Sequence, residues 1–252
     1  MAELTFTQED GIGTITFNRP EKRNAFTGEM RQTLHSMLRS PEAQELAVIV
    51  LRAEGKMFCA GADLNEVANS NLRHLSSSVD FWSGFRLSRP VLISAVNGIA
   101  LGLGSGIAMS SDIVIADEEA QFGYPEINHG LVASYMAVGL QALIGARKAF
   151  ELVITGRRIP AQEALTLGMI NEVVPNPKLY DRAYELAREI AGRMPVAVHT
   201  TKKFFYEAAE MPFTTGIRAS ERVVKMMRKN KDVQEKARAF VGRNKTSAEA
   251  KS

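Results

Sequence analysis

Two periods of hydrophobic and polar positions run along the chain. At the N-terminus, Leu4 to Phe6 and Gly13 to Phe17 alternate apolar with polar on either side of Glu9-Asp10-Gly11, which predicts a hairpin of two strands. Ala47 to Leu51, Val91 to Val96 and Ile113 to Ala116 are short runs with little or no polar alternation. Such runs predict strands covered on both faces, as a parallel sheet requires. Between them, Thr27 to Arg39, a segment around Phe81 to Leu87, and Leu103 to Ser110 read as helices, so the expected class is α/β. Beyond Pro177 the period changes. Leu179 to Arg193, Val196 to Ala209, Phe213 to Arg228 and Lys231 to Val241 have amphipathic helical spacing, with breaks at Pro195 and Met211-Pro212. The expected organisation is a mixed core over 1–195 and a helical region over 196–252.

Composition narrows the function classes. The 252 residues are 45% hydrophobic and 23% charged, which suits a globular chain with a sizeable core. The net charge is only +3, so a strongly basic nucleic-acid binder is not the expected class. It is unevenly placed, however: Glu221 to Ser252 holds ten Lys or Arg against four Asp or Glu. That basic stretch reads either as a solvated helical face or as a site for a polyanionic ligand. One cysteine, Cys59, excludes an intrachain disulfide framework, and four scattered His offer no metal-ligand spacing. The polar, acidic first ten residues do not read as a signal peptide, and no apolar run has the length of a membrane span. The expectation is a soluble, cytoplasmic protein without a metal site.

Three segments carry candidate chemistry. Lys56 to Leu64 follows a strand and opens a helix; its small residues Ala60, Gly61 and Ala62 let a ligand approach the backbone, and Asp63 can cap the helix. Asn97 to Gly106 does the same after the strand Val91 to Val96. Two such turns can present two free helix-terminal N–H groups to one oxygen, the layout of an oxyanion hole. A dinucleotide fingerprint from Gly102 and Gly104 is discounted, because Ile107 stands where its third glycine belongs. In the third segment, Gln121 to Leu131, Glu126 lies among apolar residues. Partial burial would raise its pKa and suit it to general acid/base work, against the alternative of a solvated loop residue. His129 is nearby but has no nucleophile to activate, Gly104-Ser105-Gly106 is not a nucleophile elbow, and Cys59 reads as a space-filling thiol.

In this order and spacing the segments resemble the crotonase superfamily, the enoyl-CoA hydratase/isomerase family. The matching stretches are Asn18 to Phe26, Cys59 to Leu64, Pro90 to Gly98, Ala100 to Gly102, Ser111 to Ala116, Gln121 to Gly123, Pro125-Glu126, Thr155-Gly156 and Ala161 to Ala164. The resemblance implies a crotonase-like spiral of ββα units with a C-terminal helical trimerisation region. It implies a homotrimer or a hexamer built as a dimer of trimers, acting on an acyl-CoA substrate with no cofactor besides the coenzyme A of the thioester. By motif position the thioester oxygen would rest between the amides of Ala62 and Leu103, with Glu126 as acid/base. Coenzyme A would be held at Arg23, Ala25, Ala60, Asp63, Leu64 and Asn65, and closed over by Phe240 and Arg243. The acyl pocket would be lined around Phe81 to Phe85 and Val132 to Met136.

Two positions depart from the family pattern. Leu103 stands where glycine is usual. Gly106 stands where the hydratases carry the first of two glutamates. One carboxylate suffices for a 1,3-proton shift that converts a 3-enoyl-CoA to a 2-enoyl-CoA, whereas hydration ordinarily uses two. Isomerisation and hydration both stay open, as do thioester hydrolysis or decarboxylation, and a non-catalytic acyl-CoA- or RNA-binding homologue.

Overall fold

The structure is a computed structural model that describes residues 2–69 and 78–239. The chain divides into two compact units, Met1–His199 and Thr200–Ser252.

The first unit is built on a six-stranded sheet with strand order β1-β2-β3-β4-β6-β9. β1 (Leu4–Glu9) and β2 (Ile12–Phe17) form an antiparallel hairpin closed by Asp10 and Gly11, both at positive φ. That turn conformation matches the twist of paired strands. β3 (Val48–Ala53), β4 (Val91–Val96), β6 (Ile113–Asp117) and β9 (Glu172–Val174) then join in parallel. Period two explains their apolar runs. Val48 and Val50 of β3, with Ile93 and Ala95 of β4, face α9 (Leu179–Ala191) through Leu179, Ala183 and Ala187. Ile49, Leu51, Leu92 and Val96 face the larger core, where Phe17 meets Phe26 and Phe58 at ring distances of 4.9 and 5.0 Å. A sheet buried on both faces has no polar side to reveal the alternation.

A second sheet, β5 (Ile99–Leu101), β7 (Gln121–Gly123) and β8 (Arg158–Pro160), sits one step further along each unit. β4, β5 and α5 (Leu103–Ser110) form one ββα unit. β6, β7 and the 3-10 turn Pro125–His129 form the start of the next, which continues into α6 (Ser134–Ile144). The preceding repeat replaces its second strand with single bridges, Met57 to Gly98 and Cys59 to Ala100, before α3 (Leu64–Asn69). The sequence pattern does not announce the second sheet: each of its strands has three residues, too few to display a period.

The helices that frame the site follow ordinary rules. α1 (Gly28–Arg39) is capped by Thr27, whose Oγ1 accepts from the Met30 amide at 3.1 Å, and buries Met30, Leu34 and Leu38 at helical spacing. α2 (Pro41–Glu45) follows at once. α4 (Ser78–Leu87) places Phe81, Trp82 and Phe85 in one aromatic cluster. α7 (Ala146–Thr155) and α8 (Ala161–Thr166) follow α6.

α10 (Pro195–Ala209) leads from the first unit into the second, which contains α11 (Phe213–Lys229) and a helix at 231–239. No helix among the described residues is long and apolar enough to cross a membrane.

Candidate active site

Strand register brings the three candidate segments together. Cys59 bridges Ala100, and Ala100 pairs with Phe122, all in parallel. Three residues further on, the same register aligns Ala62, Leu103 and Pro125, with Glu126 next in line. Residues some 20 to 40 apart in sequence thus become neighbours on successive turns of the spiral.

The Ala62 side is clipped to the loop before α1. Phe26 N donates to Gly61 O (2.9 Å), Ala60 N to Arg23 O (3.0 Å) and Asp63 N to Phe26 O (2.9 Å). Arg19 Nη1 donates to both Ala25 O (2.9 Å) and Asp63 Oδ2 (2.8 Å). This hydrogen bond holds the Asp63 carboxyl below the usual carboxylate range, and Asp63 Oδ1 caps α3 by accepting from Asn65 N at 3.0 Å. Asn24, fully buried at φ 52°, closes the loop from beneath through Glu54 O and Met57 O. Neither the Ala62 nor the Leu103 amide donates to any described atom. Each is therefore free to donate to a ligand, and Leu103 N also stands at the positive end of α5.

Gly102, the cap of α5, adopts φ 52° and ψ −119°, and a Cβ there would lie 2.7 Å from Glu126 Oε1. Only glycine meets both demands. The Glu126 carboxyl thus lies over the backbone beside the Leu103 amide. Burial raises its pKa; its own backbone amide and the charge of His129 oppose the rise. Oε2 is buried with no hydrogen-bond partner. The Leu103 side chain packs in the core, so a leucine at this position leaves its amide free and puts no bulk beside it.

Gly106 lies one turn further along α5. A Cβ there would meet Trp82 Cη2 at 2.7 Å and Met136 Cγ at 2.8 Å. The space that a side chain at this position would enter is filled by an indole and a thioether chain. The sequence gives no hint of this, because the contact crosses from α4 and α6.

An open cleft of about 610 Å³ runs beside these groups. Arg23, Ala25, Ala60, Ala62, Asp63, Leu64 and Asn65 line it, together with Pro125. Leu103 and Glu126 are not among its lining residues; they adjoin it through Leu101 and Pro125. Phe240 and Arg243 lie outside the described residues. Lys22, Asn128, His129 and Arg158 also line the cleft and were not singled out as binding residues from sequence, since nothing in their local pattern marks them. Cys59 is buried, and burial pushes its thiol up to about 12, which disfavours the thiolate that nucleophilic attack needs. Among the described residues no group of three or more His, Cys, Asp or Glu is placed to hold a metal ion.

Comparison with known proteins gives a consistent result. Residues 7–251 match the profile of the family described as enoyl-CoA hydratase/isomerase. The 2,3-dehydroadipyl-CoA hydratase of Escherichia coli K12 is 31% identical over 247 residues, which are 96% of each chain. A crystal structure of an enoyl-CoA hydratase from Mycobacterium smegmatis superposes with a TM-score of 0.91 at 27% identity, covering 96% of this chain and 97% of that one. The human enoyl coenzyme A hydratase domain-containing protein 3 gives 0.90 at 29% identity, covering 96% and 98%.

Proposed function

The chain belongs to the enoyl-CoA hydratase/isomerase family, and from that premise we propose that it isomerises a 3-enoyl-CoA to a 2-enoyl-CoA with Glu126 as its single acid/base. Glu126 takes a proton from C2, and the thioester oxygen gathers the negative charge of the dienolate between the Ala62 and Leu103 amides. The protonated Glu126 then returns the proton to C4, and the double bond moves into conjugation. A half-buried carboxyl with raised proton affinity suits both halves of this cycle. Each backbone donor contributes about 3 kcal/mol to lowering the barrier. The step is redox-neutral and needs no cofactor beyond the coenzyme A of its substrate, which the cleft lined by Arg23, Ala25, Ala60 and Asp63 to Asn65 accommodates.

The observation that carries the choice of isomerisation is the packing at Gly106. Where a second carboxylate would enter, Trp82 and Met136 already touch the helix. A specific observation also favours hydration: the relative from E. coli is named a hydratase and is 31% identical over nearly its whole length. The two separate by ultraviolet absorbance of the conjugated thioester. Isomerisation gives a gain with a 3-enoyl-CoA and no loss with a 2-enoyl-CoA. Loss with the 2-enoyl substrate alone makes the protein a hydratase and removes the isomerase reading.

We also propose a homotrimer or hexamer. Val138 of α6 and Phe150 of α7 are 75% and 65% exposed, which supports burial against another copy.

A further inference from the structure

Behind Glu126, three polar atoms are buried without hydrogen-bond partners: Glu126 Oε2, Tyr124 Oη and Ser105 Oγ. Tyr124 is 1% exposed and Ser105 is fully buried. They belong to one cluster: the Ser105 hydroxyl lies within loose hydrogen-bonding reach of the Tyr124 phenol without forming a well-aligned bond, and the Glu126 charge acts on the phenol. Tyr124 precedes Glu126 by two residues, and Ser105 lies one helical turn beyond Gly102, on which the carboxyl rests. An orphaned buried polar group is costly, and buried polar groups are nearly always paired. Two buried hydroxyls, neither in a well-formed hydrogen bond, beside an unpaired oxygen of the acid/base therefore call for a role.

The two carboxylate oxygens are not equivalent. Oε1 lies over Gly102, 2.7 Å from where its Cβ would be, beside the free Leu103 amide; Oε2 is 3.7 Å from that point and sealed from solvent. We propose that Tyr124 and Ser105 are positioning residues for Glu126: Ser105 donates to Tyr124, and the Tyr124 hydroxyl donates to Oε2, so that the proton exchanged with substrate is carried on Oε1. The chain closes by side-chain movement or through one shared water. It stabilises the carboxylate form and partly offsets the effect of burial. This inference rests on the reading of Glu126 as acid/base.

Among the described residues, the other ionisable groups around Glu126 are few. β5, β7 and α5 carry none, His129 is on the same turn, and Arg158 is on β8. On α7, Arg147 is exposed, and Lys148 is paired with Glu151, which also binds Arg157.

The test uses the full chain and butanoyl-CoA in D2O, following deuterium entry at C2 against pH. Exchange requires only enolate formation, so it does not depend on whether the protein isomerises or hydrates. Tyr124→Phe removes one hydroxyl and keeps the ring. The expected result is an acid limb of kcat/KM raised by about one pH unit, a roughly tenfold loss below the limb, with KM and the plateau at high pH maintained. Ser105→Ala is expected to move the limb the same way by less. An unmoved limb in Tyr124→Phe, or an equal loss at every pH, overturns the proposal. Glu126→Gln separates the two readings. If exchange survives in that variant, or the wild type shows none, the acid/base reading fails by itself. The Glu126 carboxyl titration, followed by infrared difference in the unliganded protein with Glu126→Gln as assignment control, then decides the positioning role. A midpoint that is the same in wild type and Tyr124→Phe overturns it there too.

Discussion

A methyl group added at Gly106 tests the packing that distinguishes this site. In Gly106→Ala the new Cβ would stand 2.7 Å from Trp82 Cη2, 2.8 Å from Met136 Cγ and 3.3 Å from Trp82 Cζ3. Unstrained carbon contacts lie at about 3.5–4.0 Å, so both side chains must retreat by several tenths of an ångström. Trp82 cannot do so freely. Its ring meets Phe81 edge-on at 4.9 Å and lies stacked on Phe85 at 6.3 Å, and both phenylalanines are buried. Helix propensity alone would favour alanine by about 1 kcal/mol, while overpacking of this kind costs about 1–3 kcal/mol. The net expectation is a loss of about 1 kcal/mol, or a melting temperature lower by about 2–4 °C for a chain of this size. Thermal unfolding by circular dichroism reads it. In a Trp82→Ala background only the contact with the flexible Met136 chain remains, and there the same substitution is expected to be clearly less destabilising. A Gly106→Ala protein that melts higher than wild type with Trp82 intact would refute the reasoning. So would an effect unchanged by removing Trp82, since coupling between touching residues is the signature of the clash.

Two further outcomes follow from the site. Leu103→Pro deletes one proposed oxyanion donor at the first helical position, where proline is tolerated, and also removes buried leucine packing; in protein that circular dichroism shows to be folded, activity on enoyl-CoA is expected to fall about 100- to 1000-fold, with the melting temperature lowered by the lost packing. For Asp63, a carboxyl held low by Arg19 contributes stability above its unfolded pKa of about 3.9 and loses it as pH falls through the folded value. The melting temperature of wild type is therefore expected to drop more steeply than that of Asp63→Asn between pH 5 and pH 3, and parallel slopes would contradict the pairing.

Much of the site was legible because local chemistry was legible. Small residues at Ala60 to Ala62, glycine at 102 and a carboxylate at 126 each follow a strand, and strand register then aligns them. The large sheet showed itself through β3 and β4, whose unbroken apolar runs reflect burial on both faces. The second sheet did not, because three-residue strands carry no period, although its β5–β7 pairing is what aligns Leu103 with Pro125. α6 was missed for a different reason: Val138 and Leu143 are exposed apolar residues, so the helix has no polar face and no amphipathic signal. The filling of the Gly106 space by Trp82 and the cluster of Ser105, Tyr124 and Glu126 are contacts between distant elements. Residue identity alone does not encode them.

The central claim is that one carboxylate moves the proton. Its most direct test is the rate at which conjugated-thioester absorbance appears from a 3-enoyl-CoA, measured side by side for wild type and Glu126→Gln, with coenzyme A affinity determined on the same samples. The account predicts conversion by wild type and a loss of at least ~100-fold in the variant with coenzyme A binding retained. A variant that isomerises within a few-fold of wild type would contradict it.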